Sequence, residues 1–302
     1  MAVVVKDRRE RMLRCLQALL AQDHPDYEVL VLDNGSSDGT ADACRQAAGS
    51  ASVPVRVEVV EGALGRVRNA AARLSAAEFI AYTDSDCLPS PRWLSAGVAA
   101  FADSAVGLVS GMTLPEDSEP EAPWPATVRV TEQSWHFETC NILFRRDALV
   151  RAGGFPDDLS WGEDTAAGWA MLRAGWEARF VPEAVVQHDV TYPGRAWHLR
   201  RVRRYGGVAA VIREFPEARD KLLWKRYFLR ERNARFAAAL LGVALTPASR
   251  AALLLAVPYL RERGPRGLRF WQLYSSAERI AIDASVFAGM VRGSVRWRAL
   301  VL

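Results

Sequence analysis

The chain has 302 residues, of which 50% are hydrophobic and 25% are charged, a composition typical of a folded globular protein rather than a disordered one. Its four cysteines are far apart and form neither a CxxC pair nor the framework of a secreted protein, which argues against a metal-thiolate site and predicts a reducing compartment. The apolar run near the start, "AVVV", is too short for a signal peptide, so export through a cleaved signal is not expected.

Charge is distributed unevenly along the chain. Residues 1–194 contain 17 Lys and Arg against 28 Asp and Glu, a balance of −11, whereas residues 195–302 contain 22 against 7, a balance of +15. This change is the clearest domain boundary in the sequence. It predicts an acidic domain over 1–194 and a basic region over 195–302.

Short apolar or β-branched runs alternate with helical patterns in the acidic domain. The predicted strands include 2–5, 27–33, 53–60 and 78–84, and the helical patterns between them include 9–22 and 65–76. This alternation predicts right-handed crossovers and a mostly parallel sheet with helices on both faces, which collects ligands at the carboxyl ends of its strands. Asp33 and Asp84 both fall at such strand ends.

The loop "LDNGSSDGT", residues 32–40, follows the second predicted strand. Asn34-Gly35 is a turn signal and Ser37 or Asp38 is a candidate helix N-cap, so an ordinary strand-to-helix turn is one interpretation. In the other interpretation, Asp33 at the last strand position points into the crevice and accepts a hydrogen bond from a base or ribose group.

Two acids flank a serine directly after the fourth predicted strand, in "FIAYTDSDCLPSPRW". One acid alone is readily explained as a cap for the helix that "SPRW" predicts, with Pro91 early in it. Two acids, Asp84 and Asp86, can reach different parts of one ligand, and Mg²⁺ or Mn²⁺ prefers one or two carboxylates together with phosphate oxygens. The D-x-D pattern by itself is too short to separate the two interpretations.

Four longer stretches carry a family resemblance. The stretches are "RCLQALLAQDHPDYEVLVLDNGSSDGTADACRQAA", "GRVRNAAARLSAAEFIAYTDSDCLPSPRWL", "ETCNILFRRDALVRAGGFPDDLSWGEDTAAGWAMLRAGW" and "VPEAVVQHDV". Together they resemble the successive motifs of family 2 inverting glycosyltransferases with the GT-A fold, over about residues 2–190. The resemblance implies a Rossmann-like mixed sheet and transfer of a sugar from a nucleoside-diphosphate sugar to an acceptor hydroxyl.

The resemblance implies roles for the residues that match those motifs. Asp86 and His188 are expected to hold a divalent cation, Mg²⁺ or Mn²⁺, across the diphosphate. Glu163 and Asp164 are expected to be the catalytic residues, with Asp164 as the base. The residues expected to bind the nucleotide sugar are Lys6, Asp7, Asp33, Gly65, Arg68, Asp84 and Ser85.

Each of these expected roles has an alternative explanation in which the residue is purely structural. Glu163 and Asp164 begin a helical pattern, where acids stabilise the helix N-terminus without any catalytic role. A histidine such as His188 is often structural. Three further residues, Trp135, Asn141 and Trp161, are candidates for the acceptor or sugar pocket, although the tryptophans are equally compatible with the core.

The first loop departs from the family pattern. The family usually has a proline-containing turn and an aromatic-asparagine pair after its first strand, whereas this chain has "KDRRER". Lys6 and Asp7 therefore take the positions nearest the nucleotide, and their contacts are not defined by the resemblance.

The implied reaction is a single displacement that inverts the anomeric centre. Asp164 removes the proton of the attacking hydroxyl, and the cation stabilises the charge that develops on the leaving oxygen. Two alternatives stay open: a sugar-nucleotide nucleotidylyltransferase, against which the lack of glycine in "KDRRER" argues, and a non-catalytic sugar-nucleotide-binding partner protein.

The basic region predicts a helical appendage. Its apolar stretch 236–260 is divided by "TPASR" into two pieces shorter than the roughly 20 residues needed to cross a bilayer, which predicts a helical hairpin. The hairpin can pack on the body, pair with a second copy, or lie on an anionic membrane, where basic charge and apolar faces act together. We expect a cytoplasmic protein, with a peripheral position at the inner membrane face as one option, and no nucleic-acid partner.

Overall fold

The computed structural model describes residues 1–116, 125–159, 161–265, 267 and 269–302. The chain divides into two compact units, Met1–Tyr192 and Pro193–Leu302. The boundary predicted from charge lies two residues after this division.

The described part of the first unit is built on an eight-stranded sheet with the order β3-β2-β1-β4-β7-β6-β8-β5. Parallel pairing joins β3, β2, β1 and β4, and also joins β6 to β8. Strand β7 is antiparallel to β4 and β6, and β5 is antiparallel to β8. The predicted mixed, mostly parallel sheet is therefore confirmed. The strands are β1 (Ala2–Val5), β2 (Val29–Asp33), β3 (Val55–Val59), β4 (Phe79–Asp84), β5 (Cys87–Pro89), β6 (Val106–Pro115), β7 (Asn141–Arg145) and β8 (Glu177–His188).

Helices cover both faces of this sheet. Side chains alternate along β2, so that Val29 and Val31 join α1 in one apolar cluster while Leu30 and Leu32 are buried on the opposite face. On that opposite face the Tyr82 hydroxyl donates a 3.0 Å hydrogen bond to a backbone carbonyl of α3. The helices of this unit are α1 (Arg9–Leu20), α2 (Thr40–Ala48), α3 (Leu64–Leu74), α4 (Trp93–Ala99), α5 (Arg146–Arg151) and α6 (Glu163–Arg173), and a 3₁₀ turn follows α4 at Ala100–Ala102.

Two helix starts differ from the sequence-based expectation. Helix α4 begins at Trp93. The Trp93 amide donates a hydrogen bond to the Ser90 carbonyl in a turn, so Pro91 precedes the helix rather than lying within it. Helix α2 has Gly39 at its N-cap with φ of 78°, and Asp38 instead accepts the amide N–H of Thr40 from one position further out.

The second unit is helical, as predicted. In its apolar hairpin, α10 packs against a 3₁₀ segment and α11 around Phe236 and Tyr259. Asp283 of α12 is 1% exposed, accepts a 3.1 Å hydrogen bond from the Tyr259 hydroxyl, and pairs with Arg232 and Arg263. No helix in the described part of the chain has both the length and the apolar character needed to cross a bilayer. The elements are α7 (Arg195–Val202), α8 (Val208–Glu214), α9 (Arg219–Leu222), α10 (Glu231–Ala244), α11 (Val257–Arg263) and α12 (Phe270–Trp297), with 3₁₀ segments at Arg203–Gly207, Pro216–Ala218 and Arg250–Ala256.

Candidate active site

Strand register brings the predicted acids to one edge of the sheet. Asp33 lies opposite Val5 and Asp84 lies opposite Val4, so both acids sit at the carboxyl end of the parallel strands that flank β1. In an open sheet with parallel strands this is the edge where ligands are bound.

The pairing of β5 with β8 brings Asp86 beside His188. Cys87 lies directly opposite His188 in the ladder, and the Asp189 amide donates a 2.8 Å hydrogen bond to the Asp86 carbonyl. The Nδ1 atom of His188 lies 2.8 Å from the Asp189 carbonyl oxygen. Since a carbonyl only accepts, Nδ1 carries the proton, and Nε2 is directed toward Asp86 Oδ1 at 3.9 Å.

These residues fit a hard divalent cation. One ligand atom each from Asp86, Cys87 and His188 lies within 4.8 Å of the others. The Asp86 and His188 side chains are mostly buried, at 14% and 12% exposed. Burial raises the pKa of the Cys87 thiol, so Cys87 stays protonated and acts as a core residue, while oxygen and imidazole ligands suit Mg²⁺ or Mn²⁺.

Arg68 is a buried bridge between β4 and α6. Its guanidinium donates to Glu163 Oε1 at 2.6 Å and lies 3.5 Å from Asp84 Oδ1. Burial alone would lower the pKa of Arg68, but the carboxylates of Asp84, Glu163 and Asp164 outweigh it and raise the pKa. The guanidinium therefore stays charged and holds the end of β4 against the start of α6.

Asp164 lies in the first turn of α6, immediately after Glu163. Gly162 at the N-cap has φ of 86°, a conformation that favours glycine, and this turn sets the direction in which the two acids leave the loop. Burial, followed by repulsion from Glu163, raises the pKa of Asp164 to about 8, although Arg68 and the Thr165 amide act in the opposite direction. Asp164 thus binds a proton far more readily than an ordinary carboxylate does.

Asp84 is in a similar electrostatic position. Burial raises its pKa, Arg68 opposes that effect, and Asp86 adds to it. The edge of the sheet therefore concentrates several acids around one buried arginine, an arrangement that favours the binding of a cation or a proton.

Asp33 is 1% exposed, and only one of its carboxylate oxygens is engaged. Oδ1 accepts a 2.7 Å hydrogen bond from the Ser36 amide, whereas Oδ2 has no hydrogen-bond partner among the described residues. A buried polar atom without a partner is costly, and a ligand N–H or O–H would satisfy it.

The first loop is tied to the loop after β2. Asp7 has φ of 49°, its amide donates to the Ser36 hydroxyl, and its carboxylate accepts from the Ser37 amide at 2.7 Å. Lys6 is exposed at the edge of this pair of loops. The structure brings Asp7 close to the turn that follows Asp33, while the Lys6 side chain faces solvent.

Three other predicted residues are enclosed by protein. Ser85 is 3% exposed between the two acids. Gly65 is required by close packing, since a Cβ there would lie 2.2 Å from the Pro156 carbonyl oxygen. Asn141 is 2% exposed and makes three hydrogen bonds, from its amide to the Met112 and Ala184 carbonyls and from the Trp93 indole to its oxygen. Its place in a sugar pocket stays a prediction, and these bonds give it a clear role in joining the strands.

The two predicted tryptophans are partly exposed and lie among aromatic rings. The ring centroids of Trp135 and Trp169 of α6 lie 6.1 Å apart, and the Trp169 indole N–H donates to the Trp135 carbonyl. The ring centroids of Trp161 and His136 lie 6.2 Å apart. The His136 carbonyl also accepts from the Thr165 hydroxyl, next to Asp164. The sequence analysis did not single out His136, which lies in the aromatic stretch "SWHFE" and whose ring contacts Trp161.

The sequence analysis also did not predict the ion pairs of three arginines near the start of α1. Arg8 pairs with Asp86 at 2.5 Å, Arg11 with Asp189 at 2.8 Å, and Arg14 with Glu116. The signal was present in the sequence, since positions three apart lie on one helix face. Their partners are remote in sequence and could not be assigned from it.

A model of the family described as Glycosyl transferase family 2 matches residues 1–155, just over half of the chain. The chain belongs to glycosyl transferase family 2. A second model, Glycosyl transferase family group 2, matches residues 133–277. The family resemblance inferred from the sequence is thereby confirmed.

Two relatives of this family 2 glycosyltransferase illustrate how far the similarity extends. Glycosyltransferase AglE of Haloferax volcanii is 27% identical over 197 residues, which cover 62% of this chain and 65% of that protein. The pre-mycofactocin glycosyltransferase of Mycobacterium tuberculosis is 30% identical over 159 residues, covering 48% of this chain and 34% of that protein. The chain thus spans between one third and just under two thirds of the length of these relatives.

Solved structures share the fold. The mannosyltransferase PcManGT from Pyrobaculum calidifontis, in complex with GDP-Man and Mn²⁺, has a TM-score of 0.63 and 24% identity, covering 97% of this chain and 85% of that chain. Residues 1–349 of TarS from S. aureus, in complex with UDP-GlcNAc, have a TM-score of 0.52 and 14% identity, covering 99% of this chain and 91% of that chain. These likenesses confirm the GT-A fold.

Proposed function

We propose that this family 2 protein is a metal-dependent, inverting glycosyltransferase that moves a hexosyl group from a nucleoside-diphosphate sugar to an acceptor hydroxyl on a glycan, a lipid-linked sugar or a small molecule. The observation that carries the proposal is the excess of carboxylates at one sheet edge, where Asp84, Glu163 and Asp164 share the single buried guanidinium of Arg68. Such an excess is costly in a fold and is expected where a cation and a proton are bound during function.

Donor binding is assigned to residues at the strand ends. Asp33 has a buried carboxylate oxygen available for a base or ribose donor group, and Asp84 at the end of β4 is assigned to the ribose. Asp7 and Ser85 border these acids, and Lys6, Gly65 and Arg68 complete the proposed set. The two structures described above support this class of donor, since one contains GDP-Man and the other UDP-GlcNAc.

Asp86 and His188 are assigned as the residues that hold Mg²⁺ or Mn²⁺. Their ligand atoms lie close together, and the hydrogen bond from His188 Nδ1 to the Asp189 carbonyl fixes the imidazole orientation. When bound, the cation would supply Lewis-acid stabilisation of the diphosphate leaving group. The protein's own part is to keep a carboxylate and an imidazole directed at one point.

Asp164 is assigned as the base. Its pKa of about 8 suits proton transfer near neutral pH better than that of an ordinary carboxylate, because a general base is most effective when its pKa lies close to the working pH. Glu163 is held by Arg68 at 2.6 Å and is assigned to positioning the start of α6. Direct attack by the activated hydroxyl makes this a single displacement with inversion, in which no covalent sugar-protein bond forms.

The experiment is a donor panel with the purified chain. GDP-mannose, UDP-glucose and UDP-GlcNAc are each incubated with Mn²⁺, Mg²⁺ or EDTA, and released nucleoside diphosphate is measured together with the configuration of the early product by ¹H NMR. We expect diphosphate release from at least one donor only with a cation, and a β product from an α-linked donor. Retention of configuration, or equal release in EDTA, would contradict the mechanism. Pyrophosphate release from a nucleoside triphosphate and a sugar phosphate would favour a nucleotidylyltransferase, and donor binding without any turnover would favour a non-catalytic partner protein.

We also propose that the second unit attaches the protein to the cytoplasmic face of an anionic membrane. In the apolar hairpin, residues 236–260, the sole charged residue is Arg250, while residues 195–302 together carry a charge of +15. Basic charge and a shallow apolar face together bind anionic lipid more strongly than either does alone. Eight large aliphatic side chains of the hairpin are exposed by between 42% and 70%, namely Leu240, Leu241, Val243, Leu245, Leu253, Leu254, Leu255 and Leu260.

Co-sedimentation with phosphatidylglycerol-containing and pure phosphatidylcholine vesicles tests this attachment. We expect binding to anionic vesicles at low salt, weaker binding at 1 M salt where the screening length falls to about 3 Å, and several-fold weaker binding for the double variant L241S/L254S. The matched control V59S/V150S removes two exposed valines of the first unit and should bind like the parent. A parent protein that ignores anionic vesicles at low salt would overturn the membrane proposal, and a concentration-dependent dimer that L241S/L254S dissociates would assign the hairpin to a second copy.

A further inference from the structure

Arg8 lies directly against the carboxylate that is assigned to the metal. It occupies the N-cap position of α1, and its guanidinium donates to Asp86 Oδ2 at 2.5 Å. The other oxygen, Asp86 Oδ1, is the one that faces His188 Nε2 at 3.9 Å. The same carboxylate is therefore shared between a fixed positive charge of the chain and the proposed cation position.

The pair is able to open. The Arg8 side chain is 43% exposed, whereas Asp86 is 14% exposed. An arginine with this much exposure exchanges its partner for water at little cost, because exposed ion pairs contribute only weakly to stability. Two neighbouring arginines of the same helix, Arg11 and Arg14, pair with other acids, whereas Arg8 pairs with Asp86.

We infer that Arg8 is a resident counter-ion of Asp86 that competes with the divalent cation, so that the free cation binds weakly until a diphosphate arrives to take the guanidinium as its own partner. This inference rests on the proposed metal site. Two effects act in the same direction: the guanidinium occupies one oxygen of the carboxylate, and its charge repels a dication bound at the other. A guanidinium released from Asp86 also finds a suitable partner in phosphate oxygens, with which arginine makes strong charge-assisted bonds.

The test measures binding of Mn²⁺ alone, with no nucleotide and no turnover, by the EPR signal of free Mn²⁺. We expect R8Q to bind Mn²⁺ about three- to tenfold more tightly than the parent, which is the size expected from losing an exposed ion pair and its charge repulsion. R8K keeps the charge and should stay near the parent. R9Q removes the same charge from the adjacent, exposed position and should also stay near the parent.

The direction of the change in Mn²⁺ affinity in R8Q shows whether Arg8 competes with the cation or only stabilises the loop. Damage to the loop would weaken Mn²⁺ binding, whereas the inference requires that removing Arg8 tightens it. Unchanged or weaker Mn²⁺ binding in a folded R8Q protein overturns the inference, and so does an equal gain in R9Q, which would reflect net charge alone. D86A, measured in parallel, distinguishes failure of the metal site from failure of the counter-ion role of Arg8. If D86A abolishes Mn²⁺ binding while R8Q does not change it, only the counter-ion role is wrong. If D86A binds Mn²⁺ like the parent, the metal site and the counter-ion role are both wrong.

Discussion

The two units each bury a cluster of charged side chains, and the clusters differ in their balance of acids and arginines. In the first unit, Asp84, Glu163 and Asp164 surround one arginine, Arg68. In the second unit, a single acid, Asp283, faces several donors, namely Arg232, Arg263 and the Tyr259 hydroxyl.

This difference in the balance of acids and arginines distinguishes a candidate active site from a structural network. Two arginines compensate the charge of the one carboxylate of Asp283, whose Oδ2 accepts hydrogen bonds from Tyr259 and Arg263 and whose Oδ1 is in an ion pair with Arg232 without a hydrogen bond. These contacts join α10, α11 and α12. An excess of acids leaves negative charge uncompensated. In the first cluster, burial is the largest cause that raises the pKa of Asp164 to about 8, and repulsion from Glu163 adds to it. We therefore expect substitutions in the first cluster to change chemistry, and substitutions in the second to change stability.

The largest expected effect is on turnover. Because an amide cannot accept a proton, D164N should lower kcat by about a hundred-fold or more while donor affinity stays near that of the parent. In the parent, kcat/KM should rise with pH to an inflection near 8, since Asp164 must lose its proton before it can act as a base. Steady-state kinetics across pH and calorimetric donor titration check both points.

The matched control for this prediction is D158N, which removes an exposed acid from the loop that precedes α6. It should retain the kcat of the parent. Near-normal turnover in a folded D164N protein would eliminate Asp164 as the base.

The next effect is on the stability of the second unit. D283N leaves two arginines facing a neutral amide, and breaking a buried ion pair in this way typically costs about 3–5 kcal/mol. We expect a fall of several degrees or more in the unfolding temperature measured by calorimetry, with donor affinity unchanged. D220N, whose acid is 58% exposed, should unfold near the parent temperature. Loss of donor binding in a folded D283N protein would contradict the structural role.

The strand-end acids were predictable from the sequence, whereas their partners were not. A β-branched run followed by D-x-D places Asp84 at a strand end whatever the rest of the chain does. The Arg68–Glu163 and Arg8–Asp86 contacts join residues 95 and 78 positions apart, and they depend on how the strands are ordered. Local periodicity has no information about that order.

Strand direction is a second limit of the sequence. The stretch "NILFR" is largely apolar, but nothing in it indicates that β7 lies antiparallel between β4 and β6. Direction is decided by the connections and by pairing with distant strands. The hydrogen bonds of the Asn141 amide to β6, β8 and α4 depend on the same strand order and could not be predicted from the sequence, and its place in a sugar pocket stays a prediction.

A smaller effect links the first cluster to stability. Asp164 has a pKa of about 8 in the folded protein against about 4 when unfolded, so the folded state binds more protons between these values and stability falls as pH rises through them. D164N should therefore unfold a few degrees above the parent at pH 9, and this advantage should disappear at pH 5. Thermal unfolding at the two pH values measures the difference. An equal shift at both pH values would indicate an effect of packing rather than of charge.

The most direct test of the central claim, that Asp86 at the strand-end edge of the first unit binds a cation together with the donor, is calorimetric titration of a nucleoside diphosphate into the parent and D86A proteins with Mn²⁺ and with EDTA. We predict that Mn²⁺ strengthens binding to the parent and that D86A binds with the affinity that the parent shows in EDTA. A folded D86A protein that keeps the full Mn²⁺-dependent affinity would contradict the account.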